Sequence, residues 1–157
     1  MTGKADFTAE EWATIAHGPS LAGVIVITSQ RGGLLRETLA LTQSYTDARK
    51  QHGGSELLDD IVSARPALDH SRYGSPEELR DAGLKTIRAA VELLEQRATA
   101  AEVESYRRFV LDLARRVASA HREHQSDVSE SEQAALDQIA AALDSPAAAA
   151  GAASATV

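Results

Sequence analysis

Four times along this chain a Ser or Thr is followed three residues later by Glu, and each time an apolar-periodic stretch comes next. The pairs are Thr8/Glu11, Ser75/Glu78, Thr99/Glu102 and Ser129/Glu132. In such a capping box the hydroxyl accepts from an orphan amide of the first turn, and the carboxylate reaches back to the cap amide. One match is weak; four, each opening a periodic segment, commit most of the chain to helix. Pro76 directly after Ser75 strengthens that start, because proline suits the first helical position.

The spacing behind the caps is helical. Val103, Tyr106, Val110, Leu113, Val117 and Ala120 recur at three and four residues, as do Leu84, Ile87, Val91 and Leu94, and again Leu136, Ile139 and Leu143. Leu34, Thr38, Leu41, Tyr45 and Ala48 share one face of a further segment. Ser55 opens a shorter one, with Leu57, Leu58, Ile61 and Val62, that stops near Pro66. Phe7, just before the first cap, is placed to staple onto Trp12. Gly18-Pro19-Ser20 reads as a break between a first short helix and the next; Gly53-Gly54, residues 66–74 and residues 125–128 read as turns or loops.

One stretch argues the other way. Residues 23–33, GVIVITSQRGG, resemble a buried strand running into a phosphate loop. The spacing G-x-x-x-x-G-K-[ST] is absent, and so is G-x-G-x-x-G. A nucleotide fold needs several parallel strands alternating with helices, and no second segment has that quality. A lone buried strand leaves its backbone groups without partners. We therefore expect a helix from about residue 20 to 30, apolar all round because it is central, with Gly32-Gly33 allowing a turn into the next helix.

Composition narrows the function classes. Aromatics are 4% of the chain, so Leu, Ile, Val and Ala must build the core. There is no cysteine, which excludes disulfides, thiolate metal sites and thiol catalysis. A net charge of −7 argues against nonspecific nucleic-acid binding, which requires Lys and Arg to neutralise phosphates. The longest run of apolar residues and glycine, 21–27, is far below the roughly 20 residues of a membrane span. No leader-like apolar segment follows Lys4, and we expect a soluble cytoplasmic protein.

Candidate chemistry is sparse. His121 and His124 lie three apart near a helix end, where cations suit the dipole. Glu123, Asp127, Glu130 and Glu132 gather around a turn and the next helix start and are the candidate ligands for a divalent cation through oxygen, although no D-x-D-x-D-G loop is present. Asp69-His70-Ser71 holds triad residue types, but neighbours in sequence do not converge as a triad must. Arg108, Arg115 and Arg122 form a stripe, with Glu104 and Asp112 placed four residues before Arg108 and Arg116 to pair within the helix. Glu37 sits beside an apolar stripe, with Arg31 or Arg36 as candidate partner. There is no Glu-x-x-His, which rejects a ferritin-type di-iron site.

The segments FTAEEW…GPSLAGVIVITSQRGGLLRE and YRRFVLDLARRVASAHRE…DVSESEQAAL resemble a group of uncharacterised bacterial helical proteins. The second half is similar, more distantly, to the tellurite-resistance TerB-like helical fold, through the turn Asp127-Val128-Ser129-Glu130-Ser131-Glu132. That resemblance implies an acidic cation-binding module. The expected architecture is all-α: a flexible lead over residues 1–6, one compact bundle of about six helices over 7–143, and a disordered Ala-rich tail over 144–157. The functional expectation is a non-enzymatic interaction or stress-associated protein, binding a protein partner or itself, with no cofactor beyond a possible divalent cation.

Overall fold

The computed structural model describes residues 1–29, 34–51, 55–68, 71–122 and 130–144. The protein is all-α. A short 3-10 turn, Lys4–Asp6, precedes six helices: α1 Ala9–Thr28, α2 Leu34–Lys50, α3 Glu56–Ser63, α4 Pro76–Arg97, α5 Ala100–Arg122 and α6 Glu130–Leu143. Among the described residues there is no strand. The expected tail beyond Asp144 and the expected turn at 125–128 lie outside the described residues.

The caps form where the sequence places them. Thr8 and Glu11 make a complete box, with Thr8 N donating to Glu11 Oε2 at 2.9 Å and Glu11 N donating to Thr8 Oγ1 at 3.2 Å. Thr99 and Glu102 do the same at 2.8 and 3.2 Å. Ser75 Oγ accepts from Glu78 N at 3.1 Å, but the Glu78 carboxylate accepts from Gly74 N at 2.7 Å, one residue earlier than a box requires. Ser55 caps α3 by accepting from Leu58 N at 3.3 Å. Ser129 lies outside the described residues. The Phe7 and Trp12 rings meet at 6.2 Å, as a staple does.

The GVIVIT stretch is helical and central. Val24, Ile25, Val26 and Ile27 are all buried, and four consecutive helical positions span nearly a full turn. The helix touches α2, α4, α5 and α6, most extensively α4. Close approach is bought by small residues: a Cβ on Gly83 of α4 would stand 2.8 Å from Ile25 Cδ1, and one on Gly23 would stand 2.7 Å from Leu41 Cδ1 of α2.

The expected break at Gly18-Pro19-Ser20 is corrected. α1 runs unbroken through Pro19, so the two expected segments are one helix of 20 residues. An interior proline lacks the N–H that would bond the carbonyl four residues back, and its ring crowds that carbonyl. The carbonyl in question belongs to Ile15. Tyr106 Oη, from α5, donates to Ile15 O at 2.8 Å in the core. Gly18 makes room for that phenol, since a Cβ there would lie 2.1 Å from Tyr106 Oη. The same absent Cβ eases the restriction that proline places on its preceding residue. Burial holds the Tyr106 phenol far above its usual range, with the Tyr45 phenol pushing the same way.

Thr2, Lys4 and Asp6, in the lead before α1, make hydrogen bonds to the bundle. Thr2 is buried, and its amide donates to Glu102 Oε1 at 2.8 Å. Lys4 N donates to Asp60 Oδ2 of α3 at 2.8 Å. Arg97, at the end of α4, holds Glu11 with two bonds of 2.7 and 3.1 Å, donates to Asp6 O at 3.0 Å and stacks over Phe7 at 5.6 Å. Partial desolvation pushes the Glu102 carboxyl up, but the Thr2 and Thr99 amides outweigh it and pull it down to about 2. A group lowered on folding stabilises the fold above its unfolded value, near 4.5, and loses that contribution as pH falls toward 2. Glu102→Gln is therefore expected to lower stability by about 1 kcal/mol at pH 7. Its Tm should converge with that of the parent as pH drops from 4.5 to 2 in a thermal-melt series. A deficit that persists unchanged at the acid end contradicts this account.

Candidate functional site

The residues that sequence reading singled out fall in different places. Glu123, Asp127 and His124 lie outside the described residues, as do Asp69, His70, Arg31 and the side chains of His121 and Arg122. Of the acidic four, Glu130 is exposed and Glu132 is fully buried. Two residues apart on α6, they sit on different sides of the helix, so these two carboxylates do not converge. Among the described residues no group of three His, Asp or Glu is placed to hold a metal ion. Glu37 is fully buried on α2, deeper than its sequence position suggests, while Arg36 is exposed.

The described members of the basic stripe on α5, Arg108 and Arg115, pair with acids of their own helix. Arg108 pairs with Glu104 at 4.0 Å, as spacing predicts. Asp112 pairs with Arg115 at 3.8 Å instead of Arg116, which reaches Asp47 of α2 at 2.8 Å. Arg107, not singled out from sequence, ties three helices: its guanidinium donates to Glu95 of α4 at 2.7 Å and to the Leu143 carbonyl of α6 at 2.7 Å. Arg49 caps the end of α3 by donating to the carbonyls of Val62 and Ala64.

Among the clefts on the described surface are two lined by both polar and apolar side chains. One lies between α1 and the loop before α4 and is lined by His17, Ser20, Leu21, Ala67, Arg72 and Tyr73. The Ser20 hydroxyl there donates to the His17 carbonyl at 3.1 Å, and the Arg72 guanidinium stacks on the Tyr73 ring at 5.2 Å. Another is floored by Leu58 and Phe109, with Asp59, Arg108 and Asp112 at its rim. The resolved proton affinities move away from neutrality. The Thr8 amide and Arg97 hold Glu11 low, and the hydrogen bond from Arg116 holds Asp47 low. Burial pushes the Tyr45 phenol up to about 12. General acid–base work near neutral pH needs the opposite tuning from that of Glu11, Asp47 and Tyr45.

The surface feature that stands out is apolar. Besides Met1, the exposed large hydrophobic residues among those described are Leu35, at 84% exposure, and Leu39, at 55%. They lie four apart, one above the other on the outer face of α2. The inner face of the same helix buries Ala40, Leu41, Ser44 and Tyr45. The periodic stripe in the sequence leads to that inner face; the outer leucines break the pattern, and that break is the signal by which they are found. Thr42 and Thr46 continue the outer face toward the C-terminal end, and both are exposed. Their hydroxyls donate to the carbonyls four residues back, Thr42 to Thr38 at 3.0 Å and Thr46 to Thr42 at 3.1 Å.

No described helix is long and apolar enough to cross a membrane. No family model matches the chain, and no curated protein or solved structure matches it.

Proposed function

We propose that this protein is a non-enzymatic helical interaction module that binds another protein chain through the outer face of α2. The observation that carries the reading is the Leu35–Leu39 pair, held in water by a helix whose opposite face is buried. Exposing two stacked leucines costs solvation free energy, of order 25 cal/mol for each Å² of apolar surface. A partner helix laid along α2 recovers that free energy, in the manner of a helix seated against i and i+4 anchors. Behind the face, the Arg116–Asp47 and Arg107–Glu95 ion pairs join α5 to α2 and α4, and Arg107 also donates to the Leu143 carbonyl of α6.

The test is site-specific photo-cross-linking in the native cell. A photoreactive residue at Leu39 is expected to give discrete covalent adducts. The same residue at Glu92, exposed on α4, is the control. Adducts at position 39 that do not exceed those at 92 would remove the reading.

A further inference from the structure

We infer that the outer face of α2 pairs with the same face of a second copy of this chain, antiparallel, in a weak dimer; this rests on the interaction reading above. Leu35, Leu39, Thr42 and Thr46 are separated by four, three and four residues and are all exposed. That spacing is the seam along which one helix packs on another. Nothing polar need be stranded when the seam is covered. The two threonine hydroxyls already bond within α2, so each threonine offers its methyl group outward.

The seam is self-complementary in one register. With the two-fold axis midway between Leu39 and Thr42, Leu35 of one copy lies over Thr46 of the other, and Leu39 lies over Thr42. Each large side chain meets a small one, which fills the space between the helices. A parallel pairing sets Leu35 on Leu35, aligns the helix dipoles and puts Arg36 beside Arg36. The antiparallel register opposes the dipoles and separates the two Arg36 residues by nine positions, about 13 Å along the axis.

Charge favours this face for contact between copies. The chain carries −7, so two copies repel. The exposed residues of α2 from 35 to 46 are Leu35, Arg36, Leu39, Thr42, Gln43 and Thr46, which include no carboxylate. The exposed faces of α4 and α5 carry acids among their bases: Glu77, Glu78, Asp81 and Glu92 beside Lys85 and Arg88, and Glu104 and Asp112 beside Arg108, Arg115 and Arg116. The α2 face is where two acidic molecules meet without apposing their acids. A helix of 17 residues is only about 25 Å long. The area it buries falls below the ~1,200 Å² of a standard interface, the class of weak and transient contacts, and the measurement is set for a dissociation constant on the order of 100 µM.

The chain has no cysteine, so introduced thiols report the register directly. Under mild oxidation, a mixture of Leu35→Cys and Thr46→Cys chains is expected to cross-link about tenfold faster than either chain alone. Glu92→Cys chains should stay uncoupled. Sedimentation velocity should show a concentration-dependent dimer that strengthens as salt screens the repulsion. Leu39→Glu should abolish the dimer, with Leu39→Ser as a milder variant and helical circular dichroism checking that both fold. A strict monomer up to about 1 mM, well above that affinity, overturns the inference, as does Leu35→Cys coupling to itself as fast as the mixture does. A strict monomer whose position 39 still cross-links to other proteins removes the second copy and leaves the interaction reading standing. A monomer without such adducts removes both.

Discussion

Gly18→Ala is expected to destabilise the bundle by about 3 kcal/mol, a drop in Tm of roughly 9 °C for a chain of this size. The new methyl would stand 2.1 Å from Tyr106 Oη and 3.3 Å from Cζ, and the phenol has nowhere to go because it is fully buried and bonded to Ile15 O. Tyr106→Phe alone is expected to cost about 1–3 kcal/mol, since it leaves the Ile15 carbonyl buried with neither Pro19 nor the phenol to satisfy it. The double variant tests the coupling. With the oxygen gone, the 2.1 Å clash disappears, while the 3.3 Å contact to Cζ and the restriction from Pro19 stay. Gly18→Ala should therefore cost about 1–2 kcal/mol less on the Tyr106→Phe background than on the parent. Urea denaturation of the four chains measures this. Effects that simply add would refute the claim that Gly18, Pro19 and Tyr106 form one unit.

The second large effect concerns the all-round burial of α1. Aspartate placed singly at Val24, Ile25, Val26 or Ile27 is expected to destabilise by more than about 4 kcal/mol at every position, because each lies in the core and no aspartate there finds water. Successive residues turn by 100°, so the four substitutions sample most of the helix circumference. An amphipathic helix tolerates at least one of them. Yield of folded protein and chemical denaturation of each variant give the readout, and one silent position among the four would place α1 at the surface.

These residues show what the sequence made legible. Caps are local: a hydroxyl and a carboxylate three residues apart meet through their own turn, so Thr8/Glu11 and Thr99/Glu102 can be read without knowing the fold. Core stripes are local in the same sense, and Ile87, Val91 and Leu94, or Val110, Leu113 and Val117, lie buried where their period puts them. Pro19 was misread because its rescue is not local. The donor that replaces its missing N–H stands 91 positions away from Ile15, and no rule of spacing connects them. The docking of Thr2 and Lys4 escaped for the same reason, since Glu102 and Asp60 come to them only when the helices are packed. Arg116 turned from Asp112 to Asp47 because another helix offered a carboxylate at 2.8 Å. Leu35 and Leu39 stand six and two residues from the core Leu41, off its stripe; that break is visible in the sequence, but their exposure follows only once α2 is seated.

Amide hydrogen exchange across α1 tests the central claim most directly, namely that the Val-Ile-rich segment is the buried middle helix of the bundle. Amides from Ala22 to Ile27 are expected to exchange only through global unfolding, with the slowest rates in the chain and a denaturant dependence equal to that of the whole molecule. Exchange of those amides as fast as that of Thr42 or Thr46 on the outer face of α2 would contradict the account.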